Sequence, residues 1–218
     1  PIMNDYLIFG STGLTGGYLL NEVKNRNQKY HLFTRKFLKN ESVEDQTLFD
    51  SENLPDLPNA KCLVICIGYP LNFLELIYMK LNVKKEFKRI DLDLVVEICK
   101  KASKTGISNV LIISAVGAKS SSLNYYLKIK GMMEDEVKSI GFNSIFFARP
   151  GHLLGPRDKS RVDLFVRLIE FLGNLFSPFY IGIFRKFKNI AAQEVAEELL
   201  NSYESNISTS EIIIHEQK

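Results

Sequence analysis

A concentrated charge of one sign is missing from this 218-residue chain: 28 lysines and arginines stand against 25 aspartates and glutamates, a formal net charge of +3. That mixed surface lacks the one-signed field that nucleic-acid binding requires, so no nucleic-acid partner is expected. Cysteine and histidine are scarce, three of each. Cys62, Cys66 and Cys99 form neither an even disulfide framework nor a metal-ligand spacing. They read as free thiols of a reducing compartment, Cys62 and Cys66 lying in an apolar run that fits a buried strand. His31 and His215 read as strand-end residues, and with no second candidate ligand near His152 no metal site is expected. A bilayer-length apolar run is also missing. The stretch from Phe171 to Phe184 has fourteen uncharged residues, short of the roughly 18 to 20 needed to cross a membrane. Gly173, Pro178 and Gly182 interrupt it. No basic-then-apolar leader precedes the first strand, so neither a secretion signal nor a membrane span is expected, and the expected location is cytoplasmic.

What is present is a regular alternation of apolar runs and amphipathic stretches. At 45% apolar residues the chain can bury one sizeable core and is too short for two ordinary domains, so a single domain over 1–218 is expected. Tyr6 to Phe9 reads as a strand, followed by a glycine-rich turn and a helix through Tyr18 to Lys24. Lys29 to Thr34, Gln46 to Phe49 and Lys61 to Ile67 read as strands, the last apolar enough for a parallel strand covered on both faces. One helix is expected across Val83 to Lys104, with Ile90, Leu94, Val95 and Ile98 on one face and Gly106 as a stop. A strand at Val110 to Ser114, a helix from about Tyr125 to Ile140 and a strand at Ser144 to Ala148 follow. Beyond Pro150, helices are expected at Val162 to Leu175 and Ile190 to Tyr203, and a short strand at Ile212 to Ile214. Asn40 to Asn59 reads as loop-rich and mobile. The alternation argues an α/β fold, a doubly wound parallel sheet with helices on both faces and a small carboxyl-terminal substrate-binding region.

The turn after the first strand carries Gly10-Ser11-Thr12-Gly13-Leu14-Thr15-Gly16. Gly10 ends a strand, Gly13 falls where backbone must approach a pyrophosphate, and Gly16 opens a helix whose amino end offers free N–H groups. A strand-turn-helix setting is what this motif needs in order to bind a dinucleotide. After the second strand stand Arg35 and Lys36 where many such folds place an acid for the ribose 2′-hydroxyl. A guanidinium there suits a 2′-phosphate, favouring NADP(H) over NAD(H). Asp50 is either an acceptor for the adenine amino group or a turn residue, and Ile67 and Gly68 after the fourth strand are counted with the cofactor-binding residues.

Tyr126 and Lys130 lie four apart on an expected helix and project from the same face. An ammonium near a phenol lowers the tyrosine pKa, letting it act as acid or base near neutrality. Ser114, twelve residues before Tyr126, sits at the carboxyl end of the fifth strand, where ligands of open α/β sheets bind. Its hydroxyl is expected to polarise a substrate carbonyl. The adjacent Tyr125 falls on another face and reads as packing.

These motifs, together with Tyr126-x-x-x-Lys130-Gly131 and Arg149-Pro150-Gly151-x-Leu153-Leu154-Gly155, resemble the atypical short-chain dehydrogenase/reductases, NAD(P)-binding Rossmann proteins, and most closely their HIV-Tat-interacting-protein-like oxidoreductase branch. The resemblance implies that Ser114, Tyr126 and Lys130 form a catalytic triad, that Ser120-Ser121-Ser122 is the serine-rich turn before the tyrosine helix, and that the Arg-Pro-Gly segment, with Pro150, flanks the nicotinamide. Asp91 stands where extended members usually carry asparagine, which puts a four-residue proton relay in doubt. His152 would reach the nicotinamide amide or the substrate.

The carboxyl-terminal segment 151–190 is read as the part that closes the substrate cleft or forms an interface. Leu164, Phe165, Leu168, Phe171 and Leu172 recur at helical spacing, which reads first as core; with Phe176, Phe179, Tyr180 and Phe184 they would alternatively serve a hydrophobic pocket, a homodimer contact or a protein partner. The basic run Arg185 to Lys188 reads as a solvated edge. The expected activity is NADPH-dependent reduction of a small, rather apolar carbonyl or enone. The alternatives are a non-catalytic NADP(H)-binding regulator or assembly protein, and an epimerase or dehydratase using bound NAD(P).

Overall fold

The structure, a computed structural model, describes residues 3–151, 153–154, 190–205 and 212–214. The expected helix at 162–175, the aromatic segment, the basic run at 185–188, His152 and His215 lie outside these residues. The strands are β1 (Asn4–Phe9), β2 (Tyr30–Thr34), β3 (Gln46–Leu48), β4 (Ala60–Ile65), β5 (Asn109–Ile113), β6 (Ser144–Ala148), β7 (Leu153–Leu154), β8 (Ile190–Ala191) and β9 (Ile212–Ile214). The helices are α1 (Leu14–Asn25), α2 (Phe73–Ile77), α3 (Leu81–Lys88), α4 (Val95–Lys104), α5 (Tyr125–Lys138) and α6 (Ala192–Ser205).

Seven strands form one sheet in the order β3-β2-β1-β4-β5-β6-β9, every neighbouring pair parallel. Side chains alternate across it, as the two-residue period of a strand demands. Tyr6 and Ile8 point to one face, where Leu32, Val64, Leu111 and Phe146 pack with Leu19 and Val23 of α1 and Leu199 and Leu200 of α6. Leu7 and Phe9 point to the other, joining Phe33, Ile65, Ile112 and Phe147 with Phe87 of α3, Ile98 of α4 and Met133 of α5. Both faces are covered, which is why these strands carry unbroken apolar runs. The doubly wound sheet inferred from sequence is thus what the chain adopts.

Three local departures shape the site. The expected single helix over 83–104 is broken by a π-helical stretch at Arg89–Leu94 between α3 and α4; Asp91 lies in it and is buried. The fifth strand stops at Ile113, leaving Ser114 just beyond it. The loop-rich 40–59 region holds a 3₁₀ turn at Val43–Asp45 just before the expected strand β3. The Gln46 amide ties it down: Nε2 donates to the Leu38, Glu41 and Ser42 carbonyls, each at 3.1 Å, while Oε1 accepts the Leu38 N–H at 2.8 Å.

The turn between β1 and α1 passes very close to neighbouring backbone. Gly10 adopts φ +89°, and a β-carbon built there would lie 2.6 Å from the Cys66 carbonyl carbon. A β-carbon on Gly16 would lie 2.1 Å from the Gly10 carbonyl oxygen, whereas one on Gly17 would meet nothing closer than 3.6 Å. In equilibrium denaturant unfolding, Gly16→Ala is therefore expected to lower stability by about 1–3 kcal/mol or more, as overpacking does. The adjacent Gly17→Ala, a helical position with room for a methyl, should be neutral or stabilising by up to about 1 kcal/mol.

Candidate active site

In a sheet of this order the chain leaves β1 and β4 toward opposite faces, and a crevice opens outside their carboxyl ends. A cleft of about 300 Å³ lies there. Leu14 and Thr15 of α1 form one side, Cys66 to Tyr69 after β4 another, and Ser114, Tyr126, Lys130, Asp91, Pro150 and Gly151 the rest. Of the residues singled out in the sequence, the fold therefore brings Leu14, Thr15, Ile67, Gly68, Pro150, Ser114, Tyr126 and Lys130 to one place.

The glycine turn borders this cleft. Gly13 caps α1 with no side-chain bond, and no acidic residue occupies the first turn, so the helix amino end is left open to an anion. Ser11 is buried and its Oγ has no hydrogen-bond partner. At the carboxyl end of β2 the Thr34 hydroxyl is likewise buried and unpartnered. Arg35 and Lys36 follow it, exposed on the same edge of the sheet. Two orphaned hydroxyls, a glycine-lined turn and two exposed cations fit a phosphate-bearing dinucleotide, because each lacks what such a ligand provides. Asp50 behaves as a turn residue: its Oδ1 accepts the N–H groups of Glu52 at 2.9 Å and Asn53 at 2.8 Å, which holds its carboxyl below the usual range.

Tyr126 and Lys130 both enter the cleft from α5, one turn apart. The tyrosine lies against Phe87, ring centroids 5.5 Å apart. Its pKa is raised, not lowered as the sequence reading expected: burial dominates, Lys130 pulls the other way, and the Asp91 carboxylate adds to the rise. The lysine's own charge is partly matched: Lys130 Nζ is 2.7 Å from Asp91 Oδ1, with both side chains almost fully buried. Burial works against that ammonium, but Asp91, with Tyr126 and Glu134, outweighs it and lifts the Lys130 pKa above its ordinary value. Tyr125 takes the packing role, its hydroxyl donating to the Lys84 carbonyl at 3.3 Å.

Ser114 is engaged differently from the expectation. Its hydroxyl donates to Glu134 Oε1, and Glu134 in turn accepts from Arg149, Nε to Oε1 at 2.9 Å and Nη2 to Oε2. All three are buried. A serine has one proton to give, so polarising a carbonyl requires Ser114 to leave Glu134. Sequence reading missed Glu134, although it lies one helical turn beyond Lys130 and so on the same side of α5. Gly131 has a local reason too: a β-carbon there would lie 2.2 Å from the Lys119 carbonyl carbon, so glycine lets α5 pass close under that loop. Burial pushes the Cys66 thiol at the cleft edge up to about 12, and among the described residues no helix is long and apolar enough to cross a membrane.

No protein-family model matches the chain. Among solved structures it is similar to MoeE5 in complex with UDP-glucose and NAD, with a TM-score of 0.72 and 15% identity, covering 96% of this chain and 75% of that one. It is also similar to the human epimerase family protein SDR39U1 (isoform 2) with NADPH, with a TM-score of 0.67 and 16% identity over 96% and 73% of the two chains. The fold is thus the Rossmann fold of NAD(P)-binding epimerases and short-chain dehydrogenases. The chain is 30% identical over 161 residues to Protein FMP52, mitochondrial, of Debaryomyces hansenii, 71% of this chain and 69% of that protein. It is 31% identical over 160 residues to Protein FMP52-2, mitochondrial, of Scheffersomyces stipitis, at 71% and 68% coverage. The chain belongs to the FMP52 family. The cytoplasmic location expected from sequence is overturned by these relatives, which are named as mitochondrial proteins.

Removing the Glu134 carboxylate would break its buried ion pair with Arg149 and take the acceptor of the Ser114 hydroxyl away at once. Glu134→Ala is expected to cost about 3–5 kcal/mol of unfolding free energy, against under about 1 kcal/mol for the exposed pair partner Asp93→Ala, both read from denaturant midpoints.

Proposed function

We propose that this protein is an NADP(H)-dependent oxidoreductase of short-chain dehydrogenase type that reduces a small, rather apolar carbonyl or enone. The finer likeness to the HIV-Tat-interacting-protein-like branch is part of this reading. The observation that carries it is the meeting of Tyr126, Lys130 and Ser114 in one cleft at the carboxyl ends of β1, β4 and β5. The names of the relatives support placement in the mitochondrion.

Gly10, Ser11, Thr12, Gly13, Leu14, Thr15 and Gly16 would hold the pyrophosphate, with the open amino end of α1 facing its charge. Arg35 and Lys36, next to the Thr34 hydroxyl, would take the 2′-phosphate. Ile67 and Gly68 would line the dinucleotide's path, and Pro150 with His152 the nicotinamide end. When bound, the reduced nicotinamide supplies a hydride to the carbonyl carbon. The chain does the rest. Tyr126, whose raised pKa keeps it protonated at neutral pH, donates its phenolic proton to the carbonyl oxygen, and Lys130 stabilises the phenolate left behind. Ser114 holds the oxygen once its hydroxyl turns away from Glu134.

Two relatives of the fold, an epimerase family protein with NADPH and a UDP-glucose complex with NAD, motivate the second reading, an epimerase or dehydratase that keeps its dinucleotide bound. A third is a cofactor-dependent regulator without turnover.

Titration of nicotinamide fluorescence should show NADPH binding well ahead of NADH. Arg35→Ala should weaken NADPH by about 10- to 100-fold, the loss of a charge-assisted contact, and leave NADH unchanged. Tyr126→Phe should bind NADPH normally and lose about 10²- to 10⁴-fold in reduction rate. Absence of binding by either nucleotide would sink the cofactor assignment, and a cellular function intact in Tyr126→Phe would favour the regulator. A nicotinamide that survives purification and is not consumed would favour the epimerase.

A further inference from the structure

The buried carboxylate of Asp91 has no place in the three-residue site described above, yet it lies at the floor of the cleft. It is 2% exposed, and both of its oxygens are used. Oδ1 is 2.7 Å from Lys130 Nζ on α5, and Oδ2 accepts the Tyr69 N–H at 2.7 Å from the loop after β4. A β-carbon on Gly68 would lie 3.4 Å from Oδ1, so this loop approaches the carboxylate closely along its backbone. The residue sits in the π-helical stretch at Arg89–Leu94, a widened turn of the sort that proteins retain at functional positions.

We infer that Asp91 is a positioning residue: its carboxylate grips the Lys130 ammonium and the Tyr69 amide together, locking the lysine of the Tyr126–Lys130 pair to the loop that edges the cleft. This rests on the reading of Tyr126 and Lys130 as the proton-handling pair. Three segments far apart in sequence meet on one carboxylate: the turn between α3 and α4, the loop after β4, and α5. An asparagine could accept the Tyr69 N–H equally well but could not hold the ammonium by charge, so the carboxylate has a use that the amide lacks.

The charge has a second effect. Among the described residues, the other ionisable groups near the pair are Glu134, which also raises the proton affinity of Lys130, and Arg149, which is bound to Glu134. Asp91, which touches the ammonium directly, does more than Glu134 to offset burial of the lysine. A negative charge beside two coupled proton sites raises the pH at which the first proton leaves, and removing it lowers that pH, whichever of Tyr126 or Lys130 gives up its proton first.

The test uses the full chain without nucleotide, carrying ¹³C-labelled lysine and tyrosine, titrated by NMR; Tyr126→Phe and Lys130→Met assign the two signals. In wild type, Lys130 should keep its proton past the ordinary lysine value of 10.5. In Asp91→Asn the first deprotonation of the pair should fall by at least one pH unit, a tenfold or greater loss of proton affinity. Asp93→Asn, whose residue pairs with Lys88 at the surface, should change nothing. Hydrogen exchange at the Tyr69 amide should stay slow in wild type and Asp91→Asn and become fast in Asp91→Ala. A folded Asp91→Asn that titrates like wild type would overturn the inference. So would a wild-type Lys130 that loses its proton below 10.5, which needs no variant and stands if Asp91→Asn fails to fold. Neither readout depends on turnover, so absence of carbonyl reduction would count against the proposed function and leave this result separate.

Discussion

A close approach of backbone to backbone at the turn between β1 and α1 governs where the cleft can be. Gly16 lies so near the Gly10 carbonyl oxygen that a β-carbon would come within 2.1 Å, and Gly10, at φ +89°, lies against the end of β4. These contacts draw the amino end of α1 down onto the switch point between β1 and β4. There its unpaired N–H groups open into the crevice instead of into solvent. Adding one methyl group at Gly16 would push the helix away from the sheet and move the wall that Leu14 and Thr15 provide. The glycine requirement is steric, and it sets the geometry from which every other part of the site takes its distance.

Across the cleft from that turn the protein spends polar groups in its interior. Lys130 with Asp91, and Arg149 with Glu134, are two ion pairs whose members are all at least nine-tenths buried by side chain or residue exposure. Buried pairs of this sort contribute little net stability, since desolvation cancels most of the attraction, but breaking one is costly. Their effect is to allow few arrangements. Lys130 cannot swing without leaving Asp91, and Ser114 cannot turn without leaving Glu134. The cleft side chains Lys130 and Ser114 are thereby held by buried carboxylates, an arrangement that fixes their positions on rigid elements.

Most of the scaffold was legible in the sequence because its signals are local. Continuous apolar runs such as Leu63-Val64-Ile65 mark strands covered on both faces, and Gly10 to Gly16 mark a turn that only one kind of strand-to-helix junction needs. The positions of Tyr126, Lys130 and Ser114 followed from helical spacing and a strand end. What was not legible depends on pairing between distant segments. Nothing near Asp91 in the chain reveals that it meets Lys130 and Tyr69, and the depth at which Tyr126 is buried, which chiefly raises its pKa against the simple rule about an adjacent lysine, is likewise set by distant segments. Glu134 gave a weak signal, an acid one turn past Lys130 on a helix with many polar residues, and only its contact with Arg149 distinguishes it from a solvated one. Asp50 shows the opposite case, since its two backbone bonds come from the second and third residues after it, a local turn of the kind a sequence can suggest.

The order of the strands has a consequence for how the molecule is made. The walls of the cleft come from the turn after β1, the loop after β4, the end of β5, the middle of α5 and the segment after β6, and each parallel pairing that joins them spans a crossover. Such contacts are non-local, and chains that depend on them fold slowly, paying loop-closure entropy before the contacts repay it. No fragment ending before β6 contains a whole cleft, so a growing or partly folded chain has nowhere to seat a ligand that needs every wall. Any molecule that fits the finished cleft binds the native state and not the unfolded one, and its concentration sets part of the folded fraction by mass action.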